Sequence, residues 1–215
     1  VKYYKIVERE DKIYIVMEVC GGGELAKYLK TKLDNSEIKD FYEQIVEGYD
    51  HLMKLNIMHR DMKSSNLLLS DDKKTVKYID FGLSKIMDNK KNDLGGTICG
   101  SPLYMSPELL NEGKYDYRSD FWSIGVILYE MVYMETPYSE HNEIRTLKKE
   151  ISEGNIKYPE LERTRFKDID EINEKIIPHI KNILKLNPNE RLLWDSIINP
   201  PFIEKGIVEK KNSKY

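Results

Sequence analysis

His59-Arg60-Asp61-Met62-Lys63-Ser64-Ser65-Asn66 is the stretch from which the rest of the chain is read. It fits the pattern H-R-D-x-K-x-x-N, and the apolar triplet Leu67-Leu68-Leu69 follows it. Five fixed identities in this arrangement, anywhere in a chain this long, have a chance probability on the order of one in ten thousand at average residue usage. Further along, the strand-like run Val76 to Ile79 leads into Asp80-Phe81-Gly82. Then Gly100-Ser101-Pro102-Leu103-Tyr104-Met105 leads into Ser106-Pro107-Glu108. Any one of these residues alone reads as part of a solvated polar loop or an acidic turn. The ordered set does not.

On the N-terminal side, Lys2 to Val7 and Ile13 to Val19 are rich in β-branched and aromatic residues around the polar turn Glu8 to Lys12, which predicts a β-hairpin. Gly21-Gly22-Gly23 breaks the second strand, and Glu24 to Lys32 carries Leu25, Tyr28 and Leu29 at helical spacing. Asn35-Ser36 reads as a cap for a helix to Leu55, with Ile38, Phe41, Ile45, Tyr49 and Leu52 on one stripe. On the C-terminal side, Asp88 to Gly96 reads as a polar, mobile loop. Ser119 to Met134 predicts a buried helix, followed by helices at Ile144 to Ser152, Ile172 to Leu186 and Trp194 to Ile198. The pattern is a little β, then mostly α.

Composition narrows the function classes. The chain has 215 residues, 40% hydrophobic and 33% charged, which fits one or two globular domains rather than disorder. The formal charge of −3 lacks the basic footprint of a nucleic-acid binder, so no nucleic-acid partner is expected. No apolar run approaches the roughly 18 residues that a membrane span requires. The two cysteines, Cys20 and Cys99, cannot form a disulfide framework and have no metal-ligand spacing. A reducing, cytoplasmic compartment is therefore expected.

In combination, the motifs resemble the eukaryotic protein kinases over nearly the whole chain. The resemblance implies an α+β, protein-kinase-like fold, mainly the helical large lobe with a remnant of the small-lobe sheet. Residues 1–19 would be the last two small-lobe strands leading into the hinge, 20–203 the large lobe, and 204–215 a polar tail. It implies ATP-dependent phosphoryl transfer to Ser/Thr hydroxyls of a protein substrate, with ATP and Mg²⁺ as cofactors. Such transfer needs positioning and charge neutralisation more than covalent chemistry. Asp61 matches the carboxylate that orients the acceptor hydroxyl and accepts its proton. Lys63 matches the cation that offsets charge on the transferring group. Asn66 and Asp80 match the oxygen ligands of Mg²⁺.

The resemblance extends to the nucleotide pocket and to regulation. Met17 stands as the gatekeeper, backbone groups of Glu18 and Cys20 meet the adenine edge, and Leu68 forms its floor. Glu24 meets the ribose or a basic substrate side chain. Ser65, in the catalytic loop beside the nucleotide, replaces the acidic residue of basic-directed kinases. Lys63 and Ser101 are the types found in Ser/Thr kinases, and Ile98, Pro102 and Met105 would line the pocket after the acceptor. Arg60, with Lys85 as a second cation, would receive a phosphate on Thr97, placed there by an upstream activating kinase. Asp120 would brace the catalytic loop, and Arg191 would pair with Glu108. The run Cys99 to Glu108 is most similar to the autophagy-initiating Unc-51-like group, with Ser106 in place of the usual Ala.

One departure matters. No G-x-G-x-x-G and no V-A-I-K occurs anywhere in the chain. Residue 1 is Val, and the sequence is expected to be the C-terminal part of a longer, active kinase. The alternative is a catalytically inactive, kinase-derived binding module. In either case an exposed apolar surface is expected where the small lobe should sit.

Overall fold

The computed structural model describes residues 1–87, 100–140, 143–162 and 164–203. Strands β1 (Tyr3–Arg9) and β2 (Lys12–Met17) form an antiparallel hairpin with Ile6 opposite Ile15 and Val7 opposite Tyr14. The strands run further into the turn than their apolar pattern indicates, because Glu10 adopts a left-handed φ of 53° that permits a tight reversal. Strand β3 (Gly23–Glu24) leads into α1, which spans only Leu25–Tyr28. The helix expected through Lys32 ends early as Thr31 turns back, its hydroxyl donating to the Tyr28 carbonyl at 2.6 Å.

Helix α2 (Asn35–Lys54) buries the predicted stripe. Its cap, however, is Asp34: the Asp34 carboxylate accepts from Glu37 N at 3.0 Å, and the Glu37 carboxylate accepts from Asp34 N at 3.0 Å. Asn35 is instead buried, and its amide donates to the Asp168 carbonyl at 2.8 Å.

Strand β4 (Ile57–Met58) precedes the H-R-D stretch, and β5 (Leu67–Leu69) and β6 (Val76–Tyr78) follow it. A three-stranded antiparallel sheet is ordered β3-β5-β6, and β4 pairs with β7 (Lys85–Ile86). Leu67 and Leu69 are buried while Leu68 faces the other way, as the two-residue period of a strand requires.

Helix α3 (Pro107–Glu112) starts with Pro at its first position and stops at Gly113, φ 66°. Helix α4 (Tyr117–Tyr133) is buried almost all round and forms the centre of the core. Gly125 makes this possible: a Cβ there would lie 2.6 Å from an Ile183 methyl. Helix α5 (Ile144–Glu153) is amphipathic. The expected helix Ile172 to Leu186 is in fact composite. Helix α6 (Ile169–Glu171), capped by Asp168, runs into a π-turn (Ile172–Ile176) and then α7 (Ile177–Ile183). Pro178 has no N–H to continue the α-helical ladder, and the wider turn precedes it. Helix α8 (Trp194–Ile198) closes the body against α2, its Trp194 Nε1 donating to Asp50 at 2.9 Å.

Candidate active site

The H-R-D stretch lies in the loop between β4 and β5, and α4 holds it from below. The fully buried Asp120 carboxylate accepts from His59 N at 2.9 Å, Arg60 N at 3.2 Å and the Tyr49 hydroxyl at 2.7 Å, and also from the Tyr115 hydroxyl. Burial pushes the Asp120 carboxyl up, and the two phenols pull against it. Arg60 has a left-handed φ of 68° and its guanidinium lies 5.4 Å from the Tyr115 ring centre. The brace expected of Asp120 is therefore present.

The loop presents Asp61 to a shallow hollow. Asp61 Oδ1 accepts from Ser101 N at 3.0 Å and Ser101 Oγ at 3.2 Å. Its Oδ2 accepts from Asn66 Nδ2 at 2.9 Å and pairs with Lys63 Nζ at 2.7 Å. Lys63 Nζ also donates to Ser101 Oγ at 2.8 Å, so one hydroxyl links acid and cation. Gly100, φ 110°, allows this approach, since a Cβ there would stand 2.9 Å from the Arg60 carbonyl. Met105 lines the hollow; Pro102 is exposed and outside it.

Asp80 follows β6 with a left-handed φ of 58°, and its exposed carboxylate accepts from Gly82 N at 3.3 Å. Ile79 N donates to the Asn66 carbonyl at 3.0 Å, which sets the two segments side by side. The Asn66 amide nitrogen is used on Asp61, leaving its side-chain oxygen for a ligand. Among the described residues no three His, Cys, Asp or Glu side chains form a metal cluster. A hard cation that takes one or two protein oxygens and completes its shell with phosphates and water fits this donor set.

The residues expected to form the hinge begin at the end of β2. Met17 ends β2, and Glu18 N donates to the Lys2 carbonyl at 2.8 Å. The Glu18 carboxylate accepts from Lys2 N at 3.0 Å and is ion-paired with Lys77. The Lys77 hydrogen bond holds the Glu18 carboxyl below its ordinary value, and Glu18 in turn raises Lys77. Lys77 is opposite Leu68 in the β5-β6 register. Sequence reasoning passed over Lys77, although a lysine between Val76 and Tyr78 in a strand marks the face turned from the core. Cys20 is half-buried and a free thiol, and its carbonyl accepts from Gly23 N at 3.1 Å. Glu24 pairs with Lys27 at 2.6 Å, and Ser65 is half-buried in the 3₁₀ turn Ser64–Asn66. Lys85 is opposite Met58 in the β4-β7 pair. The predictions for Thr97, Ile98, Cys99 and the loop 88–96 lie outside the described residues.

Two further networks support the site. The expected Glu108–Arg191 pair is bidentate, at 2.7 and 2.6 Å, and Arg191 lies 5.0 Å over the Trp122 ring. Burial pushes the Glu108 carboxyl up, but the hydrogen bond and charge of Arg191 together leave it lowered. The other network had no signal in the sequence. Ser64 Oγ lies 3.0 Å from the Tyr104 hydroxyl, which donates to the buried Glu130 at 2.7 Å. It ties the H-R-D loop and the segment before α3 to one turn of α4.

The family model described as the protein kinase domain matches residues 1–203. The chain is 33% identical over 207 residues to the serine/threonine-protein kinase ATG1a of Arabidopsis thaliana, covering 94% of this chain and 32% of that protein. It is 34% identical to the serine/threonine-protein kinase atg1 of Dictyostelium discoideum, covering 93% of this chain and 29% of that protein. It is 29% identical to the serine/threonine-protein kinase unc-51 of Caenorhabditis elegans, covering 98% and 25%. The chain thus spans about a third or less of the length of these relatives.

Proposed function

The chain belongs to the protein kinase domain family, and from that premise we propose that it transfers the terminal phosphoryl group of ATP to Ser or Thr hydroxyls of a protein substrate. The observation that carries this reading is the Asp61 carboxylate, oriented at once by Lys63, Asn66 and Ser101 on a loop clamped by Asp120. A carboxylate so restrained is ready to align an acceptor hydroxyl and take its proton. Lys63, already beside it, offsets charge on the group in transfer. Asn66 and Asp80 would hold Mg²⁺, which supplies charge neutralisation along the phosphates. Met17, Glu18, Cys20 and Leu68 would border the adenine, and Glu24 and Ser65 the sugar and phosphate side.

The family's glycine-rich loop and strand lysine have no counterpart in these 215 residues. We therefore assign residues 1–19 to the end of a small lobe and 20–203 to the large lobe of a longer kinase. Cytoplasmic placement, and activation by an upstream kinase acting on Thr97 with Arg60 and Lys85 as receptors, belong to the same reading.

The test is phosphoryl transfer from γ-labelled ATP by the full-length native protein to mixed Ser, Thr and Tyr peptides. Label is expected on Ser and Thr, and Asp61→Asn is expected to lower the rate by about 10²–10⁴-fold. Absence of transfer by the full-length protein would sink the enzyme reading and leave a kinase-derived binding module.

A further inference from the structure

Residues 18–21, between β2 and β3, are held against the β5-β6 hairpin at both ends. At one end the Glu18 carboxylate pairs with Lys77 of β6 through Oε1 and accepts from Lys2 N at 3.0 Å through Oε2. At the other end Gly21 N donates to Asp71 Oδ1, in the turn after β5, at 2.6 Å. The approach there is close. A Cβ on Gly21 would lie 2.7 Å from the same Asp71 oxygen, and one on Gly22 would lie 2.2 Å from the Ser70 carbonyl oxygen. Only glycine lets backbone come so near. Val19, between the two anchors, is 86% exposed, so its side chain contributes little packing to the segment.

The anchors are themselves fixed. Ser70 Oγ donates to Asp72 at 2.5 Å and accepts from Thr75 N at 2.9 Å, and Asp72 accepts from Lys74 N at 3.1 Å. These bonds lock the turn that carries Asp71. From α2, the Gln44 amide donates to the Lys74 carbonyl at 2.9 Å and accepts from Val76 N at 2.9 Å, one residue before Lys77. A polar chain therefore runs from α2 through β6 to the segment after β2. One partly exposed ion pair adds little to global stability. What this one does is local, since with Asp71 it sets where the backbone of residues 18–21 lies.

On the adenine placement proposed above for Glu18 and Cys20, from which this follows, we propose that Lys77 and Asp71 are positioning residues for the nucleobase. Each acts through the backbone it holds, not by touching the base. Lys77 sets Glu18, and Asp71 sets the peptide just past Cys20, so the groups at the adenine edge are in place before the nucleotide arrives. Lys77 is also opposite Leu68 in the β5-β6 register. Edge and floor of the base are thus set from one strand pair.

Steady-state phosphoryl transfer by the full-length protein, with ATP varied, tests this. Lys77→Met and Asp71→Ala should each raise KM for ATP roughly fivefold, with the loss falling on KM and not on kcat. Lys77→Arg keeps the cation and Asp71→Asn keeps an acceptor oxygen, and both should restore the parental KM. A purely structural role would instead lower kcat and the melting temperature together, through a smaller folded fraction, at unchanged KM. That result, or a KM raised equally in the conservative variants, would overturn the assignment. A parent that transfers no label removes the kinase reading and this one with it, whereas an active parent whose KM is unmoved in Lys77→Met and Asp71→Ala removes this one alone.

Discussion

His179 shows how burial alone sets a residue's chemistry. Its ring packs against Tyr42 and Phe202, with Nε2 at 2.9 Å from the Tyr42 hydroxyl. Burial pushes its pKa down to about 4 from 6.5. The folded chain therefore keeps this imidazole neutral while the unfolded chain protonates it below 6.5. Stability held above that point is lost as pH falls toward 4, by roughly 3 kcal/mol in all. The variant His179→Gln keeps a neutral polar group and does not titrate. Urea unfolding of both proteins at pH 7 and pH 4.5 should show the parent losing about 2–3 kcal/mol more than the variant; equal losses would refute the burial argument. At the same scale, the Asp61 constellation was readable because Asp61, Lys63 and Asn66 sit within six positions and carry a recognisable order. The Ser64–Tyr104–Glu130 chain was not, since each member is an ordinary polar residue until α4 brings Glu130 up beneath the loop. Lys77 is intermediate: its strand alternation was visible, but its partner Glu18 lies 59 residues away.

Elements were legible where one stripe or one run dominates, and less so at their ends. The buried stripe of α2 fixed its length, yet the cap lies one residue before Asn35, because Asn35 is drawn inward to the Asp168 carbonyl. Asp34 alone completes the reciprocal pair with Glu37. Asp34→Ala should therefore cost about 1 kcal/mol, while Ser36→Ala, on an exposed position, should change stability by only a few tenths. Equilibrium unfolding of the two variants distinguishes them, and equal effects would place the cap elsewhere. Helix α3 carried a usable signal, Ser106-Pro107-Glu108 before two leucines, but six residues are too few for a periodic pattern. The break at Ile172–Ile176 was signalled by Pro178, which permits the helix to pass only by widening a turn ahead of it.

For the whole molecule, the hairpin and the helical body are unequal. The body is organised around α4, whereas every residue of β2 is exposed and β1 is nearly so. Ile6 is 71% and Ile13 70% exposed, and Tyr14 and Ile15 are exposed beside them. Among the described residues, a polar contact ties the hairpin to the body: the Glu18 carboxylate with Lys77. A two-stranded ribbon with two open edges and apolar side chains in water is marginal by itself and offers ready pairing to another chain. The exposed apolar side chains of the hairpin carry a solubility consequence for residues 1–215 made alone. This chain should self-associate through the hairpin. The double variant Ile6→Lys, Ile13→Lys places like charges on that ribbon and should stay monomeric at concentrations where the parent scatters light. Because neither side chain touches the helical core, the thermal transition of the body should shift little. A parent that is already monomeric in light scattering, or a double variant that associates equally, would mean that the ribbon's exposed isoleucines do not govern association.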